Sequence, residues 1–443
     1  MESSNVICIP NGENNIIDHR EDNNKSFKIS VPSIISCLGE KKIHSVTSYF
    51  SDNKMKNELQ TKQIIHSIKV GISLVLVSLL YLVDPLYEQV GENAMWAIMT
   101  VVVIFEFSAG ATLGKGLNRG MGTILGGGLG CIAAVLAQNL GVVGNKVIIG
   151  ASVFMFGMIG TYFRMVPRIK KRYDYGVMLF ILTYNLVVVS GVRADQKVWD
   201  IACERFLTIL MGFIICICVS LLFFPLWASD ELHQSTVTRF QELANTIQGC
   251  LEEYINIAIK EETKSSVSFG VCKSMLNSKS KDELLANYAK WEPWHGKFGF
   301  YYPWEKYLKI GEALREMAAI VLALGGSIQT SRSPKEFTSV NQTVQLKLCE
   351  AIGSDIVWTL RELGDSMKQM RKCEADTHIS EKLKAARTEL SLVISMSNIS
   401  VLENIDALAI ASFIFLLKEV VDKVEELTKE VDQVGDIAGF RSY

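Results

Sequence analysis

Six apolar stretches crowd into residues 64–227, and nothing else in the chain limits its fold so sharply. A hydrocarbon core of about 30 Å takes roughly 20 apolar residues to cross as a helix. The candidates are Ile64–Val83, Ala94–Gly114, Gly120–Gly141, Val147–Phe163, Gly176–Val192 and Phe206–Trp227. The fourth and fifth are short for a span, and the last runs into Pro225, close to where a helix should stop. The charges that interrupt or edge these stretches are nearly all basic. Lys69 lies one turn inside the first, and Arg119, Arg164, Arg193 and Arg205 stand at the edges of later ones. A charge at bilayer depth costs about 2.5–3.5 kcal/mol on insertion scales, so it faces a partner or a water-filled path. A membrane path lined with Lys and Arg suits anions.

The rest of the chain is wetter. Hydrophobic residues make up 49% of the 443 and charged residues 21%, which fits a membrane domain joined to a soluble one. The formal net charge of -2 conceals an asymmetry: residues 64–227 hold 12 Lys/Arg against 8 Asp/Glu, a net of +4, so the flanks carry -6. Residues 1–62 are polar and Asn/Ser/Lys-rich without an early apolar core, and read as a flexible cytosolic N-terminus rather than a signal peptide.

Loop charges give an orientation. The connection after the first stretch carries Asp84, Glu88 and Glu92 and no base, whereas the second holds Lys115 and Arg119 and the fourth gathers Arg164, Arg168, Lys170, Lys171 and Arg172. Basic loops stay cytosolic, which places both termini inside. The fifth connection, with Arg193 and Arg205 among acids, falls outside and breaks the bias.

Beyond Trp227 the apolar residues recur at helical spacing, as in Phe240, Leu243, Ala244, Ile247, Leu251 and Tyr254, and again in Ile405, Leu408, Ser412, Leu416, Val420, Val424, Leu427 and Val431. Further helices are expected over Trp304–Gln329, Thr343–Arg371 and Ser380–Ser397. The expected fold is all-α: residues 63–228 a six-helix transmembrane pore domain, residues 229–443 a cytosolic helical domain.

Several motifs narrow the chemistry. Gly110–Gly116 resembles a phosphate-binding loop only superficially, with three residues between its glycines where the motif needs four and Gly after the Lys. None of the six histidines pairs at zinc spacing, and no nucleophile stands beside a base, so neither an enzyme, a cofactor nor a metal is indicated. The ten cysteines form no paired framework and read as reduced. Gly122, Gly126 and Gly130 have the small-xxx-small spacing that lets helix backbones approach, within one subunit or along a pore or subunit seam. Glu106 sits within the second stretch, where a carboxylate protonates or finds a cation. It reads as a structural pair or a gate. Lys69 is balanced between pore lining and snorkelling to the interface. The basic cluster 164–172 is a topology signal first, then an anion vestibule or an anchor for acidic lipid heads. The aromatic run Trp291–Trp304 reads as a structural clasp.

Certain runs are familiar together. Trp96–Phe107, Gly110–Gly120, Arg172-Tyr-Asp-Tyr-Gly176, Ser190-Gly-Val-Arg193 and the Trp-Glu-Pro-x-His-Gly-x-Phe motif from Trp291 resemble the plant aluminium-activated malate transporter family. Tyr87–Trp96 and the Gly126–Gly130 run are most similar to its quick-activating guard-cell branch. The resemblance implies an anion channel passing malate, chloride, nitrate and sulfate, modulated by voltage and malate. It also implies a homodimer in the plasma membrane, with the vacuolar membrane as the alternative. Malate, small anions, the lipid bilayer and a regulatory kinase are its expected partners, and nucleic acid is not. It places Lys69, Arg193 and Arg205 in the pore, then Lys115, Arg119, Arg164, Arg168 and Arg172, with Trp96 and Glu106 at positions where the family keeps a Trp and an acid. A proton-coupled secondary transporter of organic anions is the alternative, and Glu106 is the feature that favours it.

Overall fold

The computed structural model describes residues 41–83, 95–138, 141–191, 198–259, 267–299, 301–330, 340–372, 376–397 and 405–441. The chain divides into two compact units, Met1–Glu58 and Leu59–Tyr443, and the packing described below lies in the second. Among the described residues every regular element is an α-helix: α1 (Lys41–Leu82), α2 (Met95–Ile104), α3 (Ala109–Gln138), α4 (Gly141–Met165), α5 (Pro167–Gly191), α6 (Val198–Leu222), α7 (Ala228–Ile259), α8 (Gly270–Leu276), α9 (Lys279–Ala289), α10 (Trp304–Thr330), α11 (Val340–Gln369), α12 (Asp376–Ser397) and α13 (Ile405–Ala438). Of the expected flexible N-terminus, residues 1–40 lie outside the described residues, and α1 takes in residues 41–62.

Among the described residues five helices are long and apolar enough to cross a membrane, through Gln60–Leu79, Ala109–Ala137, Lys146–Met165, Pro167–Gly191 and Ala202–Leu222. The second expected span, Ala94–Gly114, is not one helix. It is the ten-residue α2, a break, and the start of α3. The cause is local. The Phe105 amide still bonds back to the Val101 carbonyl at 3.1 Å, but Ser108 then caps a new helix, its Oγ accepting the Ala111 amide at 3.3 Å. The Thr112 hydroxyl accepts the Glu106 amide at 3.0 Å, and the Ala109 amide leaves the local chain for the Leu226 carbonyl at 2.9 Å. Lys115 and Arg119, expected in a loop, therefore lie on α3. The fourth connection is corrected in the same sense: only Val166 separates α4 from α5, and the basic residues ride on helices. Pro167 opens α5 at the one helical position where its missing N–H is harmless.

The glycine stripe of α3 faces α5. A Cβ on Gly122 would meet the Gly176 carbonyl oxygen at 2.4 Å, one on Gly126 the Phe180 carbonyl oxygen at 2.6 Å, and one on Gly130 Val187 at 3.0 Å, so packing within the subunit accounts for the spacing. A separate small core joins α1, α2 and α6 through Val77, Ala97, Val101, Phe105, Cys216 and Val219.

Helices α7–α13 share one larger core. Phe240, Leu243, Ala244 and Ile247 of α7 are fully buried, as their spacing predicts, and burying each large apolar side chain contributes about 1.5–3 kcal/mol. In α13 the buried stripe includes Phe413, Ile414, Leu417 and Val421, so Ser412 and Leu416 fall on its flank and not at its centre.

Candidate functional site

The basic residues of the membrane unit separate into two groups. The first is set by α1, α2, α3 and α6. His66 and Lys69 lie one turn apart on α1, and the His66 ring packs 5.8 Å from Phe105 and 5.5 Å from Phe107, centroid to centroid. That contact puts the Lys69 face of α1 against the break between α2 and α3. Lys69 is only 2% exposed, and no carboxylate among the described residues pairs with it. From the break, Glu106 turns to Lys115, nearly two helical turns into α3, and the two form an ion pair. Each of its side chains stays about one-third exposed, so the pair is wetted. One further turn along α3, Arg119 is 5% exposed and donates to the Tyr175 hydroxyl on α5 at 3.2 Å, while its Nε is buried without a hydrogen-bond partner.

At the other end of α2, the Arg205 guanidinium of α6 lies over the Trp96 ring, 5.2 Å from its centroid. Its Nε and one Nη are buried and make no hydrogen bond among the described residues. Stacking on an indole face holds a cation while leaving its N–H groups unused. Phe105 follows Trp96 by nine positions along and just past α2, about 14 Å at 1.5 Å per residue, so Arg205 and Lys69 mark two levels of one region. Arg193 lies outside the described residues.

The second group belongs to the α4–α5 turn. Arg164 pairs with Asp174, Nε to Oδ1 at 2.9 Å. Lys171 reaches Glu283 of α9 at 3.0 Å, and the Arg172 guanidinium sits 4.6 Å from the Trp291 ring centroid. Arg168 is exposed on the same turn. The structure thus brings Lys69, Lys115 and Glu106 to the α2–α3 break, with Arg119 one turn beyond, and Trp96 to Arg205. Arg164 and Arg168 stand in the other group, while the backbone of Arg172 meets α3 beside Arg119, its carbonyl accepting the Asn118 side-chain amide at 3.0 Å.

Both groups lean on the helical domain. A Cβ on Gly110 would lie 2.4 Å from the Tyr288 carbonyl oxygen, and one on Gly114 2.9 Å from Trp291, so the start of α3 rests directly on the end of α9. Glu292, in the aromatic run, accepts the Ala228 amide at 2.6 Å and the Ser229 amide at 3.2 Å, capping α7 from 64 residues away in sequence. Burial pushes the Glu292 carboxyl up, against the pull of those amides and of the Ser229 hydroxyl. His295 stacks on Trp227, ring centroids 3.7 Å apart. Within the same run Phe298 and Trp304 are buried, whereas Trp294 and Tyr301 are exposed.

The sequence left several of these partners unnamed. Asp174 stands ten residues from Arg164, across a turn whose tightness depends on Pro167. Tyr175 lies inside a quoted motif without a sign of its role. Glu292 carried no signal beyond its place in an aromatic motif.

An all-α polytopic membrane protein, with cations buried among its spans and a helical domain docked on them, is the class these features define. The chain belongs to the aluminium-activated malate transporter family: residues 55–405 match the family described as aluminium activated malate transporter. It is 42% identical over 338 residues to aluminum-activated malate transporter 14 of Arabidopsis thaliana, covering 75% of this chain and 61% of that protein. Against aluminum-activated malate transporter 13 of the same species the identity is 43% over 341 residues, covering 75% and 62%. Against transporter 2 it is 37% over 389 residues, covering 86% and 76%. The chain matches about six tenths of the length of the first two relatives.

Proposed function

We propose that the protein is an anion channel, passing malate and small inorganic anions down their electrochemical gradient along a path that meets Arg205 at one level and Lys69, Lys115 and Arg119 at the other. One observation carries this reading. Lys69, Arg119 and Arg205 are held inside the membrane unit without carboxylate partners among the described residues, and three of their guanidinium nitrogens are buried with nothing to donate to. A buried cation without a partner is strongly unfavourable. A passing anion supplies the missing acceptor. Malate carries two carboxylates, and an arginine fork matches a carboxylate while a lysine acts as a point charge. The sites must stay weak enough for the ion to leave, and cations set at separate levels fit that need.

Arg193 belongs to the proposed lining through the family resemblance, and Arg164, Arg168 and Arg172 to its approach. The Glu106–Lys115 pair is proposed as the gate, because it lies at the helix break and against the helical domain. No span carries a regular ladder of arginines, so voltage and malate sensitivity are assigned to the permeant anion acting on this pair. The quick-activating branch, a homodimer, a plasma-membrane location and a regulatory kinase complete the proposal.

Recordings from cells expressing the full chain test it. The expected result is a current that reverses at the malate or chloride equilibrium potential and does not move with a proton gradient. Lys69→Met, Arg119→Gln and Arg205→Gln should each cut it about tenfold or more, from the loss of one charge along the path. Normal currents in all three variants would remove the proposed lining. A reversal potential that follows the proton gradient would favour the coupled transporter, for which Glu106 is the candidate acid.

A further inference from the structure

We propose that the α4–α5 turn is a docking site for an anionic phospholipid, held by its phosphate-bearing headgroup. Lipid docking here does not depend on what the protein conducts. Both flanking helices qualify as membrane spans and only Val166 separates them, so the turn marks a bilayer boundary. The α4 span is almost unburied within the chain, and its last turns present Met158, Tyr162 and Met165 at 56%, 67% and 71% exposure. That surface is ready for acyl chains, with an aromatic ring at headgroup level, where such rings concentrate.

Charge supplies the second half. Arg164, Arg168, Lys170, Lys171 and Arg172 fall within nine residues. Two carboxylates answer them: Asp174 bonds Arg164 at 2.9 Å and also feels Lys170, and Glu283 bonds Lys171 at 3.0 Å. Five cations against two carboxylates leave a net of +3. Arg172 is occupied by the Trp291 ring. Arg168 and Lys170 are exposed and make no ion pair among the described residues. Exposed juxtamembrane cations attract anionic lipid at about 1 kcal/mol each, and side chains as exposed as Arg168 and Lys170 do not enclose a free ion. The occupant that satisfies both halves has a phosphate at the turn and chains along α4.

Titrating the full chain in maltoside micelles against a fluorescent phosphatidylinositol 4-phosphate, followed by anisotropy, tests this. Binding is expected for the parent chain. The double variant Arg168→Gln/Lys170→Gln should weaken it about tenfold or more, from the loss of two charges. Arg168→Lys/Lys170→Arg should retain it, and so should Lys281→Gln, whose lysine pairs with Glu231 elsewhere. A melting temperature equal to the parent's establishes that each variant is folded. Unchanged affinity in the glutamine variant would overturn the proposal, as would equal displacement by phosphatidylcholine. Equal displacement by inorganic phosphate would replace the lipid with a free anion and overturn it too.

Discussion

The membrane unit and the helical domain bury charge in opposite ways. In the helical domain Asp282 is 2% exposed and receives two hydrogen bonds from Arg239 at 2.7 Å and a third from Arg315 at 2.9 Å, so each of these charged side chains touches one of opposite sign. Glu292 is equally deep and takes two backbone amides. In the membrane unit Lys69 and Arg119 are about as deep, and no carboxylate among the described residues pairs with them. Desolvation is the same physical cost in both places. The helical domain offsets it with partners fixed by folding. In the membrane unit part of it stays unrelieved by the fold, which is where the proposed function places a mobile anion. Charge in one region holds the architecture together; in the other it is held in spite of the architecture.

Substitutions can break or sharpen that contrast. The largest effect is expected from Asp282→Ala, which leaves Arg239 and Arg315 buried face to face. Removing one partner of a buried ionic group costs about 3–5 kcal/mol, measurable as a lowered unfolding midpoint of the full chain in detergent. A shift below about 1 kcal/mol would mean that these charges are less structural than their geometry indicates.

His233 comes next. Its Nδ1 shares a hydrogen bond with the Tyr307 hydroxyl at 2.9 Å, and burial, helped by Lys297, lowers it from 6.5 to about 4. A folded value below the unfolded one means that the unfolded chain takes up the proton first. The stability it contributes is therefore complete above pH 6.5 and is lost as pH falls from there to about 4. The full loss is about 3 kcal/mol at 1.4 kcal/mol per unit. His233→Phe should flatten that part of the stability–pH curve, and an unchanged curve would remove the assignment.

Glu292→Ala strips two amides of their acceptor and should lower stability by about 1–3 kcal/mol, with the start of α7 losing protection in hydrogen exchange before the rest of the helix. On the other side of the comparison, Lys69→Met and Arg119→Gln should change stability by less than about 1 kcal/mol or raise it, because each removes an unpaired buried charge. Destabilisation as large as that of Asp282→Ala would show that these cations hold the fold, and the contrast would fail. The smallest effect belongs to Lys171→Ala, which breaks an exposed pair with Glu283 and should cost under about 1 kcal/mol, less at high salt.

Much of the architecture was legible because it rests on periodicity. The apolar lengths marked six spans, of which five are single long helices and the second is broken, and the stripe from Phe240 to Leu251 placed α7. Helix ends were harder, since they depend on single hydrogen bonds. Ser108 in Phe-Glu-Phe-Ser looks like any serine in an apolar run until Ala111 and Leu226 are seen to complete the break. The same holds for the proposed lining. The sequence marks Lys69 inside one apolar stretch and Arg119 and Arg205 at the edges of others, because a cation inside or against an apolar span is unusual wherever it occurs. It says nothing of Tyr175 beside Arg119, 56 residues on, since a contact between distant helices leaves no local trace.

The Glu292 cap has a consequence for how the protein is made. During synthesis the first amides of α7 emerge from the ribosome 64 residues ahead of the carboxylate that will receive them. Until that carboxylate arrives, the junction after the last membrane helix has water as its only acceptor. The helical domain therefore sets its own attachment point late, once the translated chain has passed the aromatic run, and a polypeptide truncated before residue 292 would leave its membrane helices with a frayed exit.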